Sequence, residues 1–137
     1  MEFAELIQKA KEAKKQAYAP YSGFHVGAAL LCKDGTIFTG CNIENSAYGP
    51  TNCAERTAIF KAVSEGFREF EAIAIISDSK QPTAPCGVCR QVMAEFCSRD
   101  FQVLMLGCEG SQRTASLGEL LPYAFFFGKI RNMAKRT

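Results

Sequence analysis

Ala72-Ile73-Ala74-Ile75-Ile76 is the stretch whose reading decides the fold. Five consecutive apolar residues, three of them β-branched, leave neither face of a strand to water, so the run predicts a central strand covered on both sides. Helical patterns flank it. Upstream, from Cys53 to about Glu65, residues Ala54, Ala58, Ile59, Ala62 and Val63 recur at helical spacing, with Gly66 as the stop. Downstream, Gln81 to Pro85 reads as a loop, Cys86 to Phe96 as a second helix and Phe101 to Leu106 as another buried strand. Further out, Phe24 to Cys32 and Thr36 to Cys41 are apolar runs joined by Lys33-Asp34-Gly35, a hairpin signal. Residues 2 to about 17 carry Phe3, Leu6, Ile7, Ala10, Ala13 and Ala17 on one helical stripe, ended by Pro20, Ser22 and Gly23. Arg113 to Ala115 predicts a short edge strand, and Leu117 to Leu121 a helical turn stopped by Pro122. The expected class is α/β: a three-layer α/β/α domain with a mixed five-stranded sheet, its opening hairpin antiparallel and its later strand-helix-strand units parallel and right-handed.

The 137 residues fit one domain, spanning 1–137, and 47% apolar with 22% charged residues is ordinary for a globular chain. A net charge of +2 argues against nucleic acid as a partner. Lys129, Arg131, Lys135 and Arg136 crowd the last nine residues, but without interleaved aromatics they suit a solvated terminal helix or a frayed end. Met1-Glu2-Phe3-Ala4-Glu5 carries acid where a signal peptide needs base, and no apolar run approaches the ~20 residues of a membrane span. A reducing cytoplasm is therefore the expected location. There Cys32, Cys41, Cys97 and Cys108 read as small buried hydrophobes, with Cys41 the one able to add a fourth thiolate to a metal site.

The remaining cysteines carry the chemistry. Cys53-Ala54-Glu55-Arg56 and Pro85-Cys86-Gly87-Val88-Cys89-Arg90 offer three thiolates and a carboxylate two residues past the first. Zinc takes sulfur and nitrogen ligands in a tetrahedron; a structural site fills all four corners, a catalytic one leaves a corner for water. Both stretches lie where a loop enters a helix, whose unpaired N–H groups favour thiolate over thiol. Cys86 and Cys89 share a helical face. Cys53 and Glu55 do not, which suits Glu55 beside a metal-bound water rather than on the metal. Three thiolates would blunt a dication unless partly neutralised. Arg56 is expected to donate to them, with Arg90 and Gln91 nearby. Cys-x-x-Cys at a helix start also serves thiol–disulfide exchange, and any cysteine cluster can hold structural zinc. The third Cys with Glu at +2, and the Pro before the Cys-x-x-Cys, favour a catalytic zinc. His25, the sole histidine, opens an apolar strand and is expected to be structural.

With these residues in view, the chain resembles the cytidine deaminases, specifically the small homotetrameric type with three cysteine zinc ligands. The likeness includes Ala19-Pro20-Tyr21-Ser22, Phe24-His25-Val26-Gly27-Ala28-Ala29-Leu30, Gly40-Cys41-Asn42-Ile43-Glu44-Asn45, both metal stretches and Leu120-Leu121-Pro122-Tyr123-Ala124-Phe125. It implies one zinc per subunit on Cys53, Cys86 and Cys89, with Glu55 as proton shuttle. Phe24 would pack on the pyrimidine, Asn42 and Glu44 would bind the ribose, and the backbone around Ala54 and Pro85 would line the base edge. Tyr48 and Phe125 would reach in from neighbouring subunits of a homotetramer, and Phe125-Phe126-Phe127 suits a subunit interface. The implied reaction is hydrolytic deamination of cytidine and 2′-deoxycytidine by zinc-activated hydroxide at C4, serving pyrimidine salvage. Val88, Ser46-Ala47 and the tail after Gly128 depart from the family pattern without removing a catalytic group. Other free aminopyrimidines, such as a nucleoside antibiotic, and a zinc-stabilised binding module are the competing readings.

Overall fold

The structure, a computed structural model, describes residues 3–126. The run at 72–76 lies within β3 (Phe70–Ser77), the middle strand of a five-stranded sheet. Before it come α1 (Ala4–Lys14), β1 (Val26–Cys32), β2 (Ile37–Cys41) and α2 (Ala54–Ser64). After it come α3 (Gly87–Phe96), β4 (Gln102–Leu106), β5 (Gln112–Ser116) and the single turn α4 (Leu117–Leu120). The sheet order is β2-β1-β3-β4-β5. β3 pairs parallel with β4 and antiparallel with β1; the β1/β2 hairpin and β4/β5 are antiparallel. The sheet is thus mixed, as expected.

Period-two alternation sorts the strand side chains into two cores. Ala28, Leu30, Ile73, Ile75, Val103 and Met105 face α2 and α3, where they meet Ala58, Ile59 and Met93. Ala29, Leu31, Ala72, Ala74, Leu104 and Leu106 face the other way, with Leu6 and Ala10 of α1. Three layers result. Each fully buried Leu, Ile or Met contributes about 1.5–3 kcal/mol of apolar burial, and β3 and β4 carry three such residues apiece. The hairpin turns at Lys33–Thr36, where Gly35 has φ +96° and Cys32 and Thr36 close the loop with a 2.8 Å N–H···O bond. Only glycine adopts that backbone conformation cheaply.

Gly40 of β2 has a different role. A Cβ there would lie 2.5 Å from the Ala54 carbonyl and 2.6 Å from the Ala58 nitrogen. The bare backbone lets the start of α2 settle directly on β2.

Several boundaries differ from the sequence reading. α1 stops at Lys14, well before Pro20, and residues 15 and 16 form a turn, so the apolar stripe outlasts the helix. Strand pairing begins at Val26 rather than Phe24, because side chains replace strand partners at residues 24 and 25. Cys32 and Cys97 are buried and Cys41 half-buried, but Cys108 is exposed in the turn between β4 and β5, a correction to its expected place in the core. Phe127 and the basic tail lie outside the described residues. Among the described residues no helix is long and apolar enough to cross a membrane.

Candidate metal centre and active site

α2 and α3 pack on the same face of the sheet, and their N-termini bring Cys53 and Cys86 together as helix caps in extended conformation. Cys89 follows one turn into α3. The three sulfurs lie within 4.8 Å of one another, with Cys53 and Cys86 3.8 Å apart. A tetrahedral zinc with Zn–S bonds of about 2.3 Å requires S···S separations of about 3.8 Å. The donor set therefore fits zinc in spacing and in softness. Among the described residues Cys41 is not part of the group, and neither is Glu55. That leaves a corner of the tetrahedron with no protein ligand.

The electrostatics favour an anion at the Cys53 sulfur. The Cys86 sulfur accepts the Cys89 backbone N–H at 3.5 Å, and Arg56 donates to the Cys53 sulfur at 3.2 Å. A hydrogen bond from the Cys89 thiol, then the Arg56 hydrogen bond and charge, bring Cys53 down to about 5 against the opposing effect of burial. Cys89, in turn, is held up as a thiol by that bond to Cys53 and by burial. One proton shared between two sulfurs is what a dication would displace. The same contacts raise Arg56, which therefore stays charged, and its buried Nε has no partner.

Glu55 occupies the first turn of α2 and is 4% exposed. Burial, with the nearby Cys53 charge, pushes its carboxyl up to about 7. A carboxyl poised near neutrality can both take and give a proton at physiological pH. Three sulfurs able to hold a cation beside such a group are an arrangement that can carry out hydrolysis.

The model of the cytidine and deoxycytidylate deaminase zinc-binding region matches residues 2–105. The chain belongs to that family. It is 55% identical over 125 residues to the cytidine deaminase of Sporosarcina psychrophila, covering 91% of this chain and 92% of that one. It is 56% identical over 120 residues to the cytidine deaminase of Halalkalibacterium halodurans, covering 88% and 91%. The crystal structure of cytidine deaminase from Burkholderia pseudomallei superposes with a TM-score of 0.88 at 51% identity, covering 91% of this chain and all of that one.

For a member of the cytidine and deoxycytidylate deaminases, the surroundings of the metal loops matter as much as the ligands. Phe24, 42% exposed, precedes β1. Asn42 follows β2 and spends half its amide on the chain itself, donating to the Phe24 carbonyl at 2.8 Å and accepting from Val26 N–H at 2.9 Å. Glu44 accepts from the Tyr21 and Ser22 backbone at 2.9 and 3.1 Å and from the Ser22 hydroxyl, whose bond lowers its pKa most. One N–H of Asn42 and one lone pair of Glu44 stay available. The loop is tied back to the Cys53 stretch by an Ile43–Asn52 bridge and by Thr57, whose hydroxyl lies 3.0 Å from the Cys41 carbonyl and 3.1 Å from that of Cys53. Ala54 and Pro85 are buried, their backbones beside the sulfurs.

Tyr48 and Phe125 are 87% and 72% exposed, so within one chain neither side chain closes the site. Gln91, expected beside the thiolates, instead donates to the Phe125 carbonyl at 2.9 Å. Arg90 bonds the carbonyls of Pro85 and Leu120, each at 2.8 Å. Both side chains of the metal helix thus point to the 120–125 segment. Ser22, Asn52, Thr57 and Asp78 were not anticipated. Ser22 falls inside the Ala19-Pro20-Tyr21-Ser22 motif, but no local pattern marks the other three.

Proposed function

We propose that this chain, as one domain over residues 1–137, hydrolyses cytidine and 2′-deoxycytidine to uridine and 2′-deoxyuridine with release of ammonia. The observation that carries the reading is Glu55, a buried carboxyl in the first turn of α2, beside three convergent sulfurs that, among the described residues, have no fourth protein ligand. A zinc ion held by Cys53, Cys86 and Cys89, one per subunit, would supply the Lewis acidity that lets water ionise near neutral pH. Arg56 offsets the excess thiolate charge.

The chain's own groups do the rest. Glu55 takes a proton from water and hands it to N3 of the pyrimidine as the water oxygen bonds to C4. It then moves the remaining oxygen-bound proton to the exocyclic nitrogen; the C4–N bond breaks and ammonia leaves. Phe24 offers an aromatic face to the base. Asn42 and Glu44, already fixed by their bonds to residues 21–26, present their spare donor and acceptor to the ribose hydroxyls. The backbone at Ala54 and Pro85 lines the base edge.

The exposed Tyr48 and Phe125 side chains support a homotetramer in which neighbouring subunits complete each site. A free nucleoside substrate suits a cytoplasmic salvage enzyme with no nucleic-acid or membrane partner. A zinc-stabilised binding module would want a fourth ligand, and Cys41 is not in the group.

Ultraviolet absorbance of cytidine with the purified protein is the test. The cytidine band falls and ammonia appears; a zinc chelator abolishes both, and Glu55→Ala keeps zinc while losing nearly all turnover. An unchanged band with zinc bound would refute the cytidine reading, and turnover of other aminopyrimidines would then redirect it.

A further inference from the structure

The backbone that carries Phe24 is held by side chains on both edges. On the β2 edge, Asn42 bonds the Phe24 carbonyl and the Val26 N–H. On the β3 edge, the β1/β3 ladder ends at the pair Val26–Ser77, and Asp78 takes over one residue beyond. One carboxylate oxygen of Asp78 accepts the His25 backbone N–H at 2.8 Å and lies 2.7 Å from His25 Nδ1, while its own N–H donates to the His25 carbonyl at 3.2 Å. The other oxygen pairs with the Lys14 ammonium at 3.0 Å, at the end of α1. Lys14 also reaches the Ser77 carbonyl at 3.4 Å. The carboxylate therefore replaces a strand carbonyl at the point where β3 leaves the sheet, through the oxygen that meets His25, while the other oxygen is left to the ion pair. Asp78 also begins the loop that ends at Pro85 and Cys86.

We propose that Asp78 is a positioning residue for the deamination. Together with Asn42 it clamps residues 24–26, and so sets the Phe24 ring relative to the loop that supplies Cys86. The inference rests on the proposed contact between Phe24 and the base. Extended backbone outside a ladder has unpaired donors and is free to shift. A shift of about 1 Å in a group that orients substrate is enough to cost binding or rate. A plain helix-to-strand ion pair would use the same charges but would require only the Lys14 contact. The bonds to the His25 N–H and carbonyl are what link the residue to Phe24.

The two roles separate in kinetics. Asp78→Ala should raise KM for cytidine about tenfold, a loss of about 1.4 kcal/mol, with kcat within about threefold and zinc content unchanged. Asp78→Asn keeps an oxygen for the His25 N–H and gives up the charge and the oxygen that faces Lys14, so its KM should stay within about twofold of the parent. Lys14→Met should lower Tm without moving KM. In a Phe24→Leu background, Asp78→Ala should add little, because the two residues act in series. Equal KM increases in Asp78→Ala and Asp78→Asn would overturn the proposal. So would an unchanged KM in Asp78→Ala, or effects of Asp78→Ala and Phe24→Leu that simply multiply. An Asp78→Ala chain that does not fold leaves the Asn variant and Lys14→Met to decide: a raised KM in either refutes the clamp. A parent protein that leaves cytidine untouched removes the underlying reading, and is seen before any variant is compared.

Discussion

Replacing Glu55 by Gln should stabilise the metal-free chain, and the gain should grow with pH. Glu55 is 4% exposed, and burial lifts its pKa from an ordinary 4.5 to about 7. The folded chain therefore holds this proton more tightly than the unfolded chain does. Stability is lost as pH rises from the unfolded value through about 7, and above pH 8 the loss is complete, at about 3 kcal/mol. Gln has nearly the same volume and no charge to desolvate, so the variant avoids that loss. With a urea dependence of about 2 kcal/mol per molar, the unfolding midpoint of Glu55→Gln should exceed the parent's by about 1.5 M at pH 8.5, beyond any offset seen at pH 4.5. Both proteins are measured by circular dichroism after exhaustive chelation. A difference that is the same at the two pH values would refute the reasoning. Glu55 would then carry no desolvation cost, and its fitness to exchange protons at neutral pH would lose its physical basis.

Two further outcomes follow from close contacts. Gly40→Ala would force a Cβ to within 2.5 Å of the Ala54 carbonyl. It should cost about 1–3 kcal/mol and, by displacing the turn that holds Cys53 and Glu55, lower zinc per chain as read by metal analysis; full zinc content would argue against tight seating of α2. Arg90→Met removes two 2.8 Å bonds to the Pro85 and Leu120 carbonyls. At about 2 kcal/mol the Tm should fall by roughly 6 °C, and an unchanged Tm would show that the guanidinium holds neither segment.

The parts of the fold legible in the sequence are those set by local pattern. The uninterrupted run Ala72–Ile76 announced a two-sided strand, and Asp34-Gly35 between apolar runs announced the hairpin; the structure has both. The spacing of Cys86 and Cys89, and their register with Cys53, pointed to sulfurs that the structure gathers within 4.8 Å. The donation of Arg56 to Cys53 was foreseeable because a triple thiolate site needs a cation and Arg56 is one turn away. What escaped were contacts between residues distant in sequence. Asp78 meets His25 across 53 positions, and Gln91 meets Phe125 across 34. Such pairs are created by sheet order, which composition and periodicity do not encode. Cys108 was misplaced for a related reason. Cysteine is a small hydrophobe by composition, but a turn at the sheet rim has no core to receive it.

The sheet order also bears on how the protein is made. Cys53 and Cys86 are separated by 33 positions, and β3 is the strand that lies between them in the chain. The sulfurs converge only once α2 and α3 rest on the same face, which requires β3 to be seated against β1 in its correct register. A one-residue slip would turn Ile73 and Ile75 away from those helices and scatter the ligands. During synthesis, then, Cys53 emerges before the other two ligands, and high-affinity capture waits for the finished sheet. A zinc ion held by all three sulfurs would in this sense certify the fold, because that grip requires the strands to be assembled correctly.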